Sequence, residues 1–347
     1  MMTLLKTFLK LPKCSAVIRA FSSENHVQEV SIPVPWGEIR GKWWGPTDQR
    51  PILCLHGWQD NCGSFDRLLP LLSRNIGYLA VDFPGHGFST RIPVGCFYNI
   101  TVFLLTVEYI RKYFSWPKVS LLGHSLGGAT SLIYSLMYPD RVDMLTCMDI
   151  HLPLWPKHHV SLTSNIIEDF PRSNEFLASK KEPPSYRISE IKKKLHASLS
   201  ESIQIKCVKY IMNRNLAPSK IHPEKYYFTR DPRLKQCEMF CFTNAELSKN
   251  APNIKCPVFL LRASSHGTYH EKFYEILEVF KKNGIECVFR FVKGTHHVHL
   301  NNPETFAEDL NTFLLKNYNA ENRSLSNVKE DVFVNEEDDV RIKESFN

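Results

Sequence analysis

Short apolar runs alternate with stretches of helical spacing along most of the chain. Runs with the length and composition of buried strands lie at 51–56, 77–82, 118–124, 141–150, 256–263 and 286–294. Helices are predicted at about 65–73, 100–114, 126–137, 270–282 and 303–315. Because strands and helices alternate, the pattern predicts an α/β fold, with helices flanking a mostly parallel central sheet. An antiparallel pair, turned at Trp36 and Gly37, is predicted to precede it.

The pattern changes between residues 151 and 250. Prolines cluster there, charges become more frequent, and the apolar residues take helical spacing, as in the segment 188–212. We therefore predict a helical cap, inserted into a core formed by residues 27–150 and 251–316. The insertion begins at the carboxyl end of a strand, which is where open α/β sheets bind their ligands.

The two ends of the chain differ from this core. Residues 1–23 place lysines opposite apolar positions, and no acidic residue precedes Glu24. This composition is typical of a mitochondrial presequence, with an unstructured or membrane-skimming N-terminus as the alternative. Residues 318–347 are polar and end acidic, so we expect a disordered tail. The expected location is intracellular: mitochondrial, or else cytoplasmic or peroxisomal.

Composition narrows the classes of function. The formal net charge is +7, and no nucleic-acid motif accompanies the basic stretch 180–235, so no nucleic-acid partner is expected. No apolar run is long enough to cross a bilayer as a helix. Ten cysteines are scattered along the chain, and several, such as Cys54, Cys147 and Cys256, lie inside apolar runs. This usage is typical of reduced, buried thiols in an intracellular compartment.

The segment VSLLGHSLGGATSLIY, residues 119–134, carries the most specific chemical signal. A predicted strand runs into the pattern G-H-S-L-G around Ser125 and straight out into a helix. A nucleophilic serine must project above the sheet on a sharp turn, and flanking glycines leave room for that turn. Unpaired N–H groups at the start of the helix favour negative charge beside the serine. Ser125 is therefore the predicted nucleophile; the alternative is a glycine-rich packing turn with an inert serine.

The loop after the strand 51–56 is predicted to face the same point. Its H-G-W sequence can aim the backbone N–H of Trp58 at the serine, and with the N–H of Leu126 this would form an oxyanion hole. His56 lies at a strand end before a glycine, which favours a structural role. In the next such loop, Asp82 and His86 are expected to stabilise the loop rather than to react.

These motifs, in this order, resemble those of the α/β-hydrolase superfamily. The segments LHGWQDNCGSFDRLLPLL, DFPGHGFS and LLGHSLGG are similar to its serine hydrolase-like, or Kraken-type, branch, and the resemblance covers residues 27–316. It implies a serine hydrolase that uses no cofactor or metal and acts on a small-molecule acyl substrate. Ser125 stands where epoxide hydrolases and haloalkane dehalogenases of the same scaffold carry an aspartate.

The resemblance also implies a catalytic histidine in the loop after the last strand. The stretch FVKGTHHVHLNNP, residues 291–303, contains His296, His297 and His299. In this superfamily the histidine lies a few residues before a helix that starts with proline, and counting back from Pro303 indicates His296. His297 is the rival, and His299 is expected to shape the turn.

The acid of the implied triad departs from the commonest pattern. Its usual place, directly after the strand 256–263, offers Ser264, Ser265 and His266 but no carboxylate. Some members of the superfamily place the acid after the strand that follows the nucleophile helix, and this chain has Asp149 there. Asp149 would orient the imidazole and stabilise its protonated form. The alternative is that Asp149 caps the insertion.

The leading hypothesis is a serine hydrolase that cleaves an ester or related acyl bond of a hydrophobic substrate through an acyl-enzyme. The missing carboxylate motivates an alternative, a catalytically weak or inactive hydrolase-fold protein that binds a ligand. A metallohydrolase using the three loop histidines and His266 is the third hypothesis. Zinc ligands must converge, however, and adjacent histidines such as His296 and His297 tend to point apart.

Overall fold

The computed structural model describes residues 27–150, 159–198, 201–236, 244–264, 270–318 and 332–333. The presequence predicted for residues 1–23 and most of the tail lie outside these residues, so both remain predictions. Within the described part of the chain, no helix combines the length and the apolar character that crossing a bilayer requires.

A central sheet of eight strands dominates the fold. Its order is β1-β2-β4-β3-β5-β6-β10-β11; β1 pairs with β2 and β2 with β4 in antiparallel fashion, and all other neighbours pair in parallel. A small antiparallel sheet has the order β7-β9-β8. The strands are β1 (Val27–Val34), β2 (Gly37–Trp44), β3 (Ile52–Leu55), β4 (Tyr78–Val81), β5 (Val119–His124), β6 (Val142–Met148), β7 (Ser185–Tyr186), β8 (Leu216–Pro218), β9 (Tyr226–Phe228), β10 (Val258–Ala263) and β11 (Cys287–Val292).

Helices separate the parallel strands, as the sequence predicts. The α-helices are α1 (Ile100–Tyr113), α2 (Leu126–Met137), α3 (His159–Ala178), α4 (Ile188–Ser198), α5 (Val208–Met212), α6 (Asn244–Asn250), α7 (His270–Lys282), α8 (Val298–Asn301) and α9 (Ala307–Asn317). The predicted α/β class, the mostly parallel sheet and the N-terminal antiparallel pair are thereby confirmed.

The sheet has an apolar cluster on each face, because successive side chains of a strand point to opposite sides. In β3, Leu53 and Leu55 belong to one cluster, which also contains side chains of α1, α2 and α7. Ile52 and Cys54 belong to the other, which α9 covers. Cys54, like Cys147 and Cys256 in the neighbouring parts of the core, is a buried free thiol.

Two predicted helices differ from the structure. The segment predicted as one helix at 65–73 forms two 3-10 turns, Cys62–Phe65 and Leu69–Leu71. Pro70 lies inside the second turn and has no N–H for an α-helical bond, so a continuous α-helix is excluded there. The helix predicted at 303–315 begins as a 3-10 turn, Pro303–Thr305, and becomes α9 only after a break at Phe306.

The segment predicted to be a cap contains α3, α4 and α5, and the small sheet of β7, β8 and β9, which the sequence pattern does not predict. The segment packs on the loops at the carboxyl ends of β3 and β4. The Trp58 indole N–H donates to the Leu234 carbonyl at 2.8 Å, and the Asn61 amide donates to the Ile211 carbonyl at 2.8 Å. The insertion therefore lies against the edge of the sheet where its loops carry the candidate chemistry.

Two residues within the predicted disordered tail are an exception to that prediction. Val332 is fully buried, and Phe333 forms an isolated antiparallel bridge with Val30 of β1. The Phe333 ring also meets the Trp43 ring edge-on, with 5.8 Å between centroids. Apolar packing against the outer strands of the sheet thus fixes this short part of a polar segment.

Candidate active site

Ser125 occupies a strained turn between β5 and α2. Its backbone has φ 50° and ψ −114°, a conformation that side-chain-bearing residues rarely adopt and that persists only where the surroundings hold it. Its N–H donates to the Met148 carbonyl at 3.0 Å. A Cβ added to Gly123 would collide with the backbone of Gly127, and one added to Gly127 would collide with the Leu55 carbonyl. Glycine is therefore required on both sides of the serine.

His296 links Ser125 to Asp149. It lies in the loop between β11 and α8, and its Nε2 is 2.8 Å from the Ser125 Oγ. Its Nδ1 is 2.7 Å from the Asp149 Oδ2. A carboxylate only accepts, so Nδ1–H donates to Asp149 and Nε2 is left to accept the serine proton. The structure thus brings together the three residues that the sequence nominates as nucleophile, base and acid.

Asp149 is buried directly after β6, with a positive φ of 48°. While Oδ2 faces His296, Oδ1 accepts the Ala263 N–H at 2.9 Å and a guanidinium N–H of Arg262 at 3.3 Å. Arg262 also donates to the carbonyl of Ile150, the residue before the insertion, at 2.9 Å. Asp149 therefore contacts the imidazole directly, whereas the first residues of the insertion, which it was alternatively predicted to cap, lie outside the described residues.

The environment shifts the pKa values of this pair. Burial alone would raise the pKa of Asp149, but the His296 hydrogen bond, the Ala263 N–H and the Arg262 charge together hold that pKa below its usual value. Burial lowers the pKa of His296, and the bond to Asp149 opposes part of that shift. At neutral pH the geometry therefore holds an ionised Asp149 beside a neutral His296.

The loop after β3 lies against the nucleophile. A Cβ added to Gly57 would be 3.4 Å from the Ser125 Cβ and 2.9 Å from the His124 Nδ1, so only glycine allows this approach. Trp58 follows Gly57, and Leu126 is the first residue of α2. The two backbone N–H groups predicted as an oxyanion hole thus belong to the two segments that flank Ser125.

His56, Asp82 and His86 make the structural contacts that the sequence predicts for them. The His56 Nε2 accepts the Phe83 N–H at 2.9 Å, and the His86 Nε2 accepts the Gln59 N–H at 3.1 Å. Asp82 pairs with the buried Arg214 at 2.8 Å. Burial would raise the pKa of Asp82, but this guanidinium and backbone donors lower it to about 2. These residues brace the loops around the site.

His297 and His299 face other groups. The His297 Nδ1 is 2.5 Å from the Ser202 Oγ in the insertion, and its Nε2 is 3.5 Å from the Asp60 Oδ2. His299 is fully buried, and its ring centroid lies 3.9 Å from that of His124. Between the two candidates for the base, it is His296 whose imidazole contacts Ser125.

Sequence reasoning missed four residues around these groups. Arg262 carries a signal, a single charge near the end of the apolar run 256–263, and a buried arginine in a strand usually has a carboxylate partner. Asp60, His124 and Ser202 carry no comparable signal. Their contacts join loops that are far apart in the sequence.

The ligand set considered for a metallohydrolase does not form among the described residues. Both nitrogens of His296 are engaged with Ser125 and Asp149, and His266 lies outside those residues. The convergent group of possible metal ligands found in the described part of the chain is instead Asp60, His124 and His297.

Known proteins resemble this chain over most of its length. A family model described as alpha/beta hydrolase fold matches residues 50–238. A probable serine hydrolase of Drosophila melanogaster is 37% identical over 84% of this chain and 88% of its own length. A serine hydrolase-like protein of Danio rerio is 30% identical over 82% of this chain and 88% of its own.

Solved structures of similar fold superpose on this chain over nearly their whole length. A hypothetical protein of Pseudomonas aeruginosa PAO1 superposes with a TM-score of 0.67 at 25% identity, covering 82% of this chain and 97% of that one. A thioesterase domain from the curacin biosynthetic pathway reaches a TM-score of 0.67 at 17% identity, covering 84% of this chain and 100% of that domain, and supports the fold alone.

Proposed function

This chain belongs to the serine hydrolase-like group of the α/β-hydrolase fold family, and on that premise we propose that it hydrolyses a carboxylic ester or a related acyl bond. The observation that carries the proposal is the unbroken series of hydrogen bonds from Asp149 through His296 to Ser125. Each bond has the length and the donor order that nucleophilic catalysis by serine needs.

In the first half of the reaction, the Ser125 Oγ attacks the acyl carbonyl and its proton passes to the His296 Nε2. Because the pKa of His296 lies below its usual value, the imidazole is neutral and able to accept that proton at physiological pH. The Asp149 carboxylate keeps the other proton on Nδ1 and stabilises the imidazolium that forms.

Negative charge develops on the former carbonyl oxygen as the tetrahedral intermediate forms. The N–H groups of Trp58 and Leu126 are the proposed donors to this oxygen. A preorganised donor of this kind contributes about 10²–10³ in kcat. Leu126 starts α2, so the positive end of the helix dipole adds to the same effect.

Collapse of the intermediate releases the alcohol or other leaving group, which takes the proton from His296. Water then attacks the acyl-enzyme, with His296 again as base, and the C–O bond to Ser125 breaks. The products are a carboxylic acid and the regenerated serine. No cofactor enters this scheme.

We further propose that the insertion, residues 151–250, caps the site and favours a hydrophobic acyl or aryl group. It has an apolar cluster of its own, which packs on Leu300 next to His299. Its contacts to Trp58 and His297 hold it beside the site. A series of 4-nitrophenyl esters of increasing chain length tests this. We expect kcat/KM to rise from acetate to medium chains, and a preference for acetate would contradict a hydrophobic specificity.

Labelling with a fluorophosphonate tests the nucleophile directly. We expect one equivalent of label per wild-type chain and none in Ser125→Ala. Ser131→Ala is the matched control, since Ser131 lies in the same helix but its hydroxyl is bonded to the Gly127 carbonyl at 2.7 Å. Absence of labelling in the wild type would instead favour the inactive, ligand-binding alternative.

The N-terminus allows one more proposal, that residues 1–23 direct the protein to mitochondria. A fluorescent fusion of the full chain is expected to colocalise with a mitochondrial marker. A fusion that starts at residue 24 should lose that pattern. Equal distributions of the two fusions would refute a targeting role.

A further inference from the structure

We propose that Asp60, His124 and His297 form a binding site for a divalent transition-metal ion, with Zn²⁺ as the best match. This cluster, here called the Asp60 cluster, lies one residue away from the nucleophile and one residue away from the base. Its three ligand atoms, a carboxylate oxygen and two imidazole nitrogens, all lie within 4.8 Å of one another. The three residues are buried, with exposed fractions of 0–3%.

The carboxylate of Asp60 is the group that points most directly to a cation. Neither of its oxygens accepts a hydrogen bond from any residue that the structure describes, although the side chain is 1% exposed. A buried, unpaired carboxylate is expensive, and buried charges are normally paired or bound to metal. Two imidazole nitrogens approach its Oδ2, the His297 Nε2 at 3.5 Å and the His124 Nδ1 at 3.9 Å. Both separations are too long for a direct hydrogen bond of normal length.

The two imidazoles present lone pairs to the same point. The His124 Nε2 is 2.9 Å from the carbonyl oxygen of His296, which can only accept, so its proton is on Nε2 and its Nδ1 faces Asp60 without one. The His297 Nδ1 is 2.5 Å from the Ser202 Oγ, a hydroxyl that can accept its proton, and in that tautomer the His297 Nε2 also presents a lone pair to Asp60. In this tautomer three electron-pair donors converge, which is the arrangement that a bound cation stabilises.

The outer contacts are those of a metal site. Metal-bound histidines usually donate their second N–H to a carbonyl, hydroxyl or carboxylate, which fixes ring orientation and tautomer. His124 does this with the His296 carbonyl, and the Ser202 hydroxyl is in place to accept from His297 in the same way. Two imidazoles and a carboxylate suit Zn²⁺, Co²⁺ or Ni²⁺ rather than Mg²⁺ or Ca²⁺, which prefer oxygen ligands.

Binding would require a small contraction of the cluster. Zn–N and Zn–O bonds of about 2.0–2.2 Å place tetrahedral ligand atoms about 3.3–3.5 Å apart. The His297–Asp60 separation of 3.5 Å already meets this, whereas the His124–Asp60 separation of 3.9 Å must shorten. Metal binding therefore pulls on His124, the residue that precedes Ser125.

This contraction gives the ion an inhibitory effect, a consequence that rests on the proposed function. His124 adjoins Ser125, and it also holds the His296 carbonyl through Nε2. Shifts well below 1 Å in either catalytic group lower turnover, because a displacement of about 1 Å can cost about 10²-fold. We therefore expect Zn²⁺ to lower kcat about tenfold or more, and chelation to restore it.

The binding test uses the full-length, tag-free Ser125→Ala chain, so that it does not depend on catalysis. Zn²⁺ titrated in competition with a chromophoric chelator is expected to bind with one equivalent per chain. Adding Asp60→Asn or His297→Gln should weaken this binding at least about 100-fold. His222→Gln, an exposed histidine elsewhere in the insertion, is the matched control and should bind as its parent does.

A second measurement covers the case in which a variant does not fold. Crystals of the wild-type chain soaked in Zn²⁺ should show an anomalous difference peak between the three side chains. Absence of that peak, or variants that bind like the parent, would overturn the site.

Measuring turnover with and without Zn²⁺ distinguishes a failure of the metal proposal from a failure of the proposed hydrolase function. Wild-type turnover that Zn²⁺ leaves unchanged, together with a filled site, would overturn only the inhibitory role. A wild type that lacks hydrolase activity would overturn the proposed function, while the titration would still decide the metal site.

Discussion

Two neighbouring groups of side chains use the same parts of the fold in opposite ways. Ser125, His296 and Asp149 come from the turn after β5, the loop after β11 and the end of β6. The Asp60 cluster takes His124 from the same turn and His297 from the same loop, each one residue away, and adds an aspartate from the loop after β3. In the first group donors and acceptors alternate, whereas in the second the carboxylate and the two imidazoles lie close together without a hydrogen bond to the carboxylate among the described residues.

The two aspartates show what this difference means. Asp149 accepts hydrogen bonds on both oxygens, from His296, Ala263 and Arg262, so its charge is balanced within the protein. Asp60 is equally buried but accepts none from the described residues. A one-residue step along the turn after β5 and along the loop after β11 therefore separates a complete proton-transfer chain from a group whose carboxylate accepts no hydrogen bond from the described residues.

Backbone geometry explains why two adjacent residues, His124 and Ser125, belong to different groups. Successive side chains of a strand point to opposite faces, and Ser125 follows the last residue of β5 on a turn with positive φ. His124 is consequently fully buried, while Ser125 is accessible to His296.

Replacing each of the two adjacent histidines in turn is the strongest test of the comparison. His296→Gln removes the group that contacts Ser125, so kcat/KM should fall about 10⁴-fold or more. His297→Gln should reduce it less than about tenfold, because His297 contacts Ser202 and Asp60 instead. Steady-state kinetics on one ester, with circular dichroism as the folding control, measures both. A larger loss for His297→Gln would reverse the assignment of the base.

Replacing each of the two aspartates in turn should give the next largest difference in kcat. Asp149→Asn keeps the shape but no longer fixes the His296 tautomer, so kcat should fall about 10²–10⁴-fold. Asp60→Asn should cause a loss below about tenfold, since Asp60 makes no hydrogen bond to His296 among the described contacts. If Asp149→Asn lowers only thermal stability, Asp149 holds the insertion and is not the acid.

The pH profile separates an orienting role of Asp149 from a structural one. His296 acts as base only when neutral, so kcat/KM should be constant at neutral pH and fall as pH drops through the pKa of His296. Burial puts that pKa below 6.5, and the Asp149 bond raises it. The midpoint should therefore lie below pH 6.5, and the residual activity of Asp149→Asn should have its midpoint at still lower pH. A wild-type midpoint above 6.5 would contradict this electrostatic account.

The smallest expected effect concerns the contact between the insertion and the Asp60 cluster. Ser202→Ala removes the hydroxyl that meets the His297 Nδ1, and a hydrogen bond of this kind contributes about 1 kcal/mol to the free energy of unfolding. Urea denaturation measures the loss. Ser179→Ala is the control, because the Ser179 hydroxyl is bonded to a carbonyl on an exposed helix end and should matter less. Equal losses would mean that the contact does not stabilise the insertion on the core.

The pattern of apolar positions along the chain is sufficient to predict most of the central sheet and its helices. The six parallel strands and the helix at 126–137 follow from spacing and from Gly or Pro at their ends, which are local properties. The segment 65–73 was predicted less well because Pro70 and the Asn61 cap favour 3-10 turns within a helical-looking pattern. The small sheet in the insertion was missed because its strands are only two or three residues long.

By itself, the sequence determined the α/β class and the position of Ser125 on its turn, because both depend on residues that are close together in the chain. Tertiary structure decided which histidine meets the serine and which aspartate meets the histidine. His296 lies 171 residues from Ser125 and 147 from Asp149, so the direction of each side chain depends on how distant loops pack. The same packing left Asp60 facing two imidazoles, a juxtaposition that no local pattern encodes.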